Sequence, residues 1–284
     1  MIVFTKRNLM VFFKDKASVF FSLLASLIIV VLYLLFLGDV WTNSFHGIEN
    51  ARAIMDNWIM AGLIAITPFT AAMGAFGTMI NDKTFKIYKD IYCSSISRFG
   101  ITAGYIFSSF IIGVILSLFT LVLAQGYILI QGGELISFMV LIKIIGMILL
   151  STFMSTSFAF FIVSFFNSQN GFATASTITG TLIGFLTGIY LPIGMLPNAV
   201  QYVIKIFPVS HSAVLLRQIM MEKTMLEAFE HIPIESADEI KQMLGVIFKF
   251  KEYTMTSAVH LIILAGTGIL FFGLAMLSMS RKKK

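Results

Sequence analysis

The chain has 284 residues, of which 58% are hydrophobic and only 12% are charged, with a mean hydropathy of +0.92. A soluble domain carries roughly a quarter charged residues, so an ordinary soluble enzyme is excluded, and so is a disordered chain, whose composition is the opposite. The net charge of +6 would point to nucleic acid if the cations formed one face. Here they flank apolar runs, so the expectation is a membrane protein with no nucleic-acid partner.

Residues 17–38, 57–81, 99–133, 144–204 and 253–280 contain no Asp, Glu, Lys or Arg. Each run exceeds the ~18 apolar residues that mark a membrane span. In chain order, residues 2–16 predict a short helix at the membrane surface. Arg7, Asn8, Lys14 and Asp15 form its polar face, with Leu9, Met10, Phe12 and Phe13 opposite. A plain basic topology anchor is the other reading of this segment. Span one follows as Ala17–Leu37, closed by Gly38 and Asp39, too long for a signal peptide and without a small-residue cleavage site after it. Span two is placed at Ile59–Ile80, span three at Ile101–Ile130 before Gly132-Gly133, and span four at Ser137–Phe166. The polar patch Asn167-Ser168-Gln169-Asn170-Gly171 then opens span five, Gly171–Leu191, and span six is Thr256–Met279. The fold class is thus an all-α polytopic membrane protein, a single domain over 1–284 with six crossings.

Six crossings put the N-terminal segment, the loop after span two and the tail Arg281-Lys282-Lys283-Lys284 on one side. That side holds 12 of the 20 basic residues, and the other holds 11 of the 14 acidic ones. Cytoplasmic loops carry the excess of Lys and Arg, so both termini are expected in the cytoplasm of a cell-membrane protein.

Between spans two and three, Phe85, Tyr88 and Tyr92 recur at i, i+3 and i+7, while Lys83, Lys86 and Lys89 lie on other faces. An amphipathic cytoplasmic helix of this kind rests either on lipid headgroups or in a groove of a partner. Gly77 to Thr84 imitates a phosphate-binding G-x-x-x-x-G-K-[ST] loop. Asp82, however, places a carboxylate where the second glycine should be, and the segment ends a membrane helix. On the outer side, Pro192, Pro197 and Pro208 cannot share one continuous helix. The expectation there is a broken, partly re-entrant pair of short helices, or else a surface loop. A small external subdomain follows from Arg217 to Glu252, with a second helix opening at the capping box Ser236-x-x-Glu239.

Within span five, Gly180, Gly184 and Gly188 make two G-x-x-x-G steps beside Thr177 and Thr181. Small residues at this spacing let helices approach closely, either at a subunit interface or pathway, or against another span of the same chain. Lys143, Gln125 and His260 fall near span ends and are read as interfacial anchors. His46, His211, His231 and His260 show no H-x-x-x-H pair, no G-x-S-x-G is present, and Cys93 is the single cysteine. No catalytic, metal or cofactor site is therefore assigned to this chain. A passive permease subunit fits better than a membrane enzyme, which lacks a site, or a secondary transporter or channel, which would show matched interrupted helices and intramembrane charge.

Two stretches carry a family resemblance. One runs from Gly77-Thr78 through Asp82-Lys83-Thr84-Phe85-Lys86-Ile87-Tyr88 to Ser94-Ser95-Ile96-Ser97-Arg98. The other is Leu191-Pro192, Leu196-Pro197, Phe207-Pro208, Ser210-His211 and Leu216-Arg217. With the basic N-terminal helix and six spans, this order resembles the type 2 ABC transporter permeases, membrane subunits of bacterial exporters of drugs, antimicrobial peptides, lipids and polysaccharides. Ser94-Ser95 stands where members often carry Thr-Pro. The resemblance implies a paired permease, with a second copy or a paralogue, seated on separate ATP-binding cassette subunits that hold ATP and Mg. Lys83, Phe85, Lys86, Tyr88, Lys89 and Tyr92, within loop 82–98, would couple to those subunits. Spans one and five, with Gly180, Gly184, Gly188, Thr177 and Thr181, would form the seam or pathway. Substrate would be an amphiphile moving outward, with membrane lipids around the assembly.

Overall fold

The computed structural model describes residues 1–33, 50–230, 232–250 and 253–281. The outer end of span one, with His46, and also His231 and Lys282–Lys284 lie outside the described residues. Helix α1 (Ile2–Lys14) meets α2 (Lys16–Leu32) at one residue, Asp15. Its carboxylate accepts the Ala17 and Ser18 backbone N–H groups at 3.1 and 3.2 Å, so it ends one helix and caps the next. The buried stripe of α1 is Phe4, Thr5, Asn8 and Phe12. That corrects the face read from the sequence: Asn8 points inward, whereas Met10 and Phe13 are exposed. The reason is tertiary, because α1 packs on α5 and places Phe4 against Gly104 and the Tyr105 ring.

Helix α3 (Ala51–Thr84) is the axis of the molecule and runs 34 residues without a break, carrying Pro68 inside it. Thr67 donates its hydroxyl to the Leu63 carbonyl at 2.7 Å and Thr70 bonds one turn back likewise, the kind of local side-chain bonding that eases a proline within a membrane helix. At 1.5 Å per residue α3 is about 51 Å long, against a hydrocarbon layer of about 30 Å, so it projects well past the bilayer. Helices α5 (Arg98–Ile130), α6 (Phe138–Val163), α2 and α1 all pack on it. Between α3 and α5 sits the short α4 (Ile87–Cys93), and α11 (Ser257–Arg281) lies against α5 and α6.

Helix α7 (Gln169–Leu186) stops five residues before the predicted end of span five. Gly188 takes φ +65°, the Ile189 N–H bonds the Gly184 carbonyl at 2.9 Å and the Gly188 N–H bonds the Phe185 carbonyl at 3.0 Å. This left-handed cap consumes the last glycine of the stripe. The prolines then act as starters: Pro192 precedes a 3₁₀ turn (Ile193–Met195), Pro197 precedes α8 (Asn198–Ile206), and Pro208 opens α9 (Pro208–Ala228). Helices α8 and α9 are bent by 87°.

Helix α9 runs through Arg217, where the small external subdomain was expected to begin, and continues to Ala228 with Arg217, Met220, Met221 and Met225 buried, packed along α3. Helix α10 (Ile234–Met243) starts after Pro233, so Ser236 lies inside its first turn and the expected capping box does not form. Gly245 at φ +66° and a two-residue antiparallel ladder, β1 (Lys249–Phe250) with β2 (Tyr253–Thr254), complete the outer part. Among the described residues α3, α5, α6 and α11 are long and apolar enough to cross a membrane, and α8 with α9 qualifies as one broken pair. Helix α7 and the 17 described residues of α2 are not among them, so the described residues offer four to five candidate crossings where six were expected.

Candidate functional site

The predicted coupling residues lie at the lower end of α3. Lys83 belongs to α3 itself, where its ammonium meets the Phe166 carbonyl at 3.2 Å. Phe85 closes α3, and Lys86, at φ +63°, turns the chain sharply into α4. A non-glycine residue in this region is uncommon, and it redirects the chain between α3 and α4. Within α4 no residue is buried. Tyr88 and Tyr92 stack edge to face at 5.8 Å, the Arg98 guanidinium lies over Tyr92, and Phe85, Lys86 and Lys89 are exposed. The helix expected across this loop is thus only seven residues, flanked by turns.

Asp82, which spoils the phosphate-loop pattern in the sequence, anchors this region. A carboxylate in the last turn of a helix opposes the macrodipole, and Asp82 is also only 2% exposed. Arg7 of α1 compensates with two parallel hydrogen bonds of 2.5 and 2.7 Å, and Tyr105 of α5 donates a third at 2.6 Å. The carboxylate in turn raises the pKa of Arg7 above its usual value, chiefly through the hydrogen bond. The opposite end of α3 repeats the device: Asp56 accepts from Tyr127 of α5 at 2.9 Å and pairs with Arg52 at 3.3 Å. Partners 75 and 71 residues away are invisible to a periodicity search.

A cleft of about 400 Å³ opens between α2 and α7, with α3 as its back wall and the end of α1 as its floor. Asp15, Asn81 and Gln169 lie at the end nearest α1, and Phe21, Phe69, Phe172 and Gly180 extend it inward. Of the predicted seam, Gly180 has open space where a Cβ would stand. Thr177 and Thr181 are exposed, each bonding back to its own helix at 3.0 Å. Gly184 lies under the Tyr190 ring, and Gly188 is the helix cap, outside the stripe.

The outer part holds two clusters that sequence reasoning missed. Arg217 is fully buried, its guanidinium 4.8 Å from the centre of the Trp58 ring, with Nη2 donating to the Gly188 carbonyl at 3.0 Å. Its Nε and Nη1 have no hydrogen-bond partner among the described residues. Trp58 itself donates to the Leu244 carbonyl at 2.7 Å, so α3, the Gly188 turn, α9 and the turn after α10 meet at one point. Nearby, His211 of α9 and His260 of α11 approach Nδ1 to Nδ1 at 2.6 Å, both buried. His260 is therefore a core residue paired across two helices, not an interfacial anchor. Its only sequence signal is a histidine inside an otherwise apolar run.

No group of three or more metal-ligating side chains occurs among the described residues. What the geometry offers is mechanical: an exposed aromatic segment at one end of a rigid axis, a cleft beside that axis, and a tightly knit outer end. No curated protein matches this chain. The family model described as ABC-2 family transporter protein matches residues 49–277, from just before α3 into α11. That stretch is most of the chain, and the chain therefore belongs to the ABC-2 transporter family, as a membrane-spanning transport subunit.

Proposed function

We propose that the chain is the permease of an ATP-driven exporter in the cytoplasmic membrane, moving an amphiphile such as a drug, an antimicrobial peptide or a lipid outward. In this reading α2 and α7 complete six crossings with both termini inside. Two permeases meet along α2 and α7, and the separate cassette subunits bind ATP and Mg. The observation that carries the proposal is α4. None of its residues is buried within the chain, Tyr92 being exposed and Tyr88 half-buried, and it hangs from the end of the longest described helix through the strained turn at Lys86. Thrust delivered to α4 by a partner passes directly into α3 and from there to the cleft that α3 backs.

The test is the double variant Tyr88→Asp, Tyr92→Asp in the assembled complex. Neither residue is buried, so insertion and folding are expected to be unchanged. Stimulation of the partner's ATP hydrolysis by the permease, and transport with it, should be lost. Unchanged stimulation would reject α4 as the coupling element.

A further inference from the structure

The cleft carries a charge signature opposite to its surroundings. Its wall contains one ionisable side chain, Asp15, and no lysine, arginine or histidine, although the chain's basic residues concentrate at this same end of the spans. Lys14 and Lys16 flank Asp15 in sequence, yet neither lines the cleft. The carboxylate stays ionised, because the hydroxyl and N–H of Ser18, with the Ala17 N–H, hold its pKa below the usual carboxylate value. Asn81 and Gln169 stand at the same rim, and Phe69 lies about 18 Å further along α3 at 1.5 Å per residue. A carboxylate repels an anionic headgroup and attracts a cationic one, and the aromatic rings further in offer apolar surface to a chain.

We propose that the cleft binds a cationic amphiphile, with an ammonium or guanidinium head at Asp15, Asn81 and Gln169 and the apolar part against Phe21, Phe69 and Phe172. This rests on the transport reading above and narrows its substrate from amphiphiles in general to positively charged ones. Anionic lipids and detergents are rejected by the same carboxylate.

The experiment uses the full chain in phosphatidylcholine nanodiscs with three photoreactive probes of identical alkyl chain, bearing a trimethylammonium, a sulfate or a maltoside head. Labelled peptides are read by mass spectrometry. The ammonium probe is expected to label segments 69–81 and 169–180 at concentrations about fivefold lower than the maltoside, the upper size of one exposed charge contact, and the sulfate at higher ones. Asp15→Asn keeps a capping acceptor and removes the charge, so it should bring the ammonium probe to the level of the maltoside and leave the maltoside unchanged. Thr78→Lys, which puts a cation into the same wall without touching the cap, should reverse the preference. Equal labelling by ammonium and sulfate, or a preference that both variants leave intact, overturns the charge assignment alone. Labelling of neither segment by any probe overturns the cleft as an amphiphile site and removes support from the transport reading too.

Discussion

Asp82 and Arg217 are both buried charges, and their different surroundings predict different responses to substitution. Asp82 is matched by a bidentate guanidinium and a tyrosine hydroxyl. Removing Arg7 leaves the carboxylate buried without a counter-charge, so Arg7→Ala should cost about 2–3 kcal/mol in thermal unfolding, the lower end for a buried pair because Arg7 is partly exposed. Adding Asp82→Asn to that variant should recover part of the loss, as a double-mutant cycle requires of coupled residues. Arg217 has one hydrogen bond and one aromatic face, worth about 1.5–3 and about 2 kcal/mol, set against a burial cost of several kcal/mol for an uncompensated cation. The two sides nearly cancel. Arg217→Met is thus expected within about 1 kcal/mol of the parent, whereas Arg217→Ala, which also opens a cavity beside Trp58, should lose about 3–5 kcal/mol. Equal losses in the two variants would show that the charge, not the packing, holds the outer end together.

Among the elements, those legible from sequence were the ones defined by composition alone. Helices α5, α6 and α11 fall within a few residues of the predicted spans because an apolar run bounded by polar residues has one solution in a membrane. Elements defined by contact were not legible. Helix α9 has too many polar residues to read as core, yet packing along α3 buries Arg217 and its methionines. The Gly180/Gly184/Gly188 repeat reads as one helical stripe, but φ is not visible in a sequence, and Gly188 turns out to be the cap. Gly188→Ala should accordingly cost more than about 1–2 kcal/mol, the penalty for an L-residue in the left-handed region, because its Cβ also meets the Ile193 side chain. Gly180→Ala, facing open space, should leave the protomer's stability unchanged. Equal unfolding temperatures for the two variants would refute the cap assignment. Nor was the candidate site fully legible: α4 was found by its aromatic spacing, but the Arg7–Asp82–Tyr105 anchor that roots it depends on three separate segments.

At the scale of the whole molecule, stability is concentrated around α3. The Asp56 and Asp82 clusters fix its two ends to α5, and the Trp58–Arg217 contact ties its outer turns to α9. Hydrogen exchange in nanodiscs should therefore be slowest in α3 and α9 and fastest in α4, which has no fully buried residue, with the largely exposed first turns of α7 next. Protection of α4 in the permease without its partners would contradict the picture of an open docking element. Two carboxylate anchors about 39 Å apart along one helix axis, at 1.5 Å per residue, also set a fixed dimension. Because both anchors join the same two helices, α3 and α5 cannot slide past each other to suit a thicker or thinner bilayer. The protein must tilt, or deform the lipid around it, at a cost of a fraction of a kcal/mol per Å of mismatch. Transport should accordingly pass through a maximum as lipid acyl chains are lengthened, with Tyr105→Phe or Tyr127→Phe flattening that dependence, so that the two tyrosine–carboxylate hydrogen bonds act as a gauge of membrane thickness.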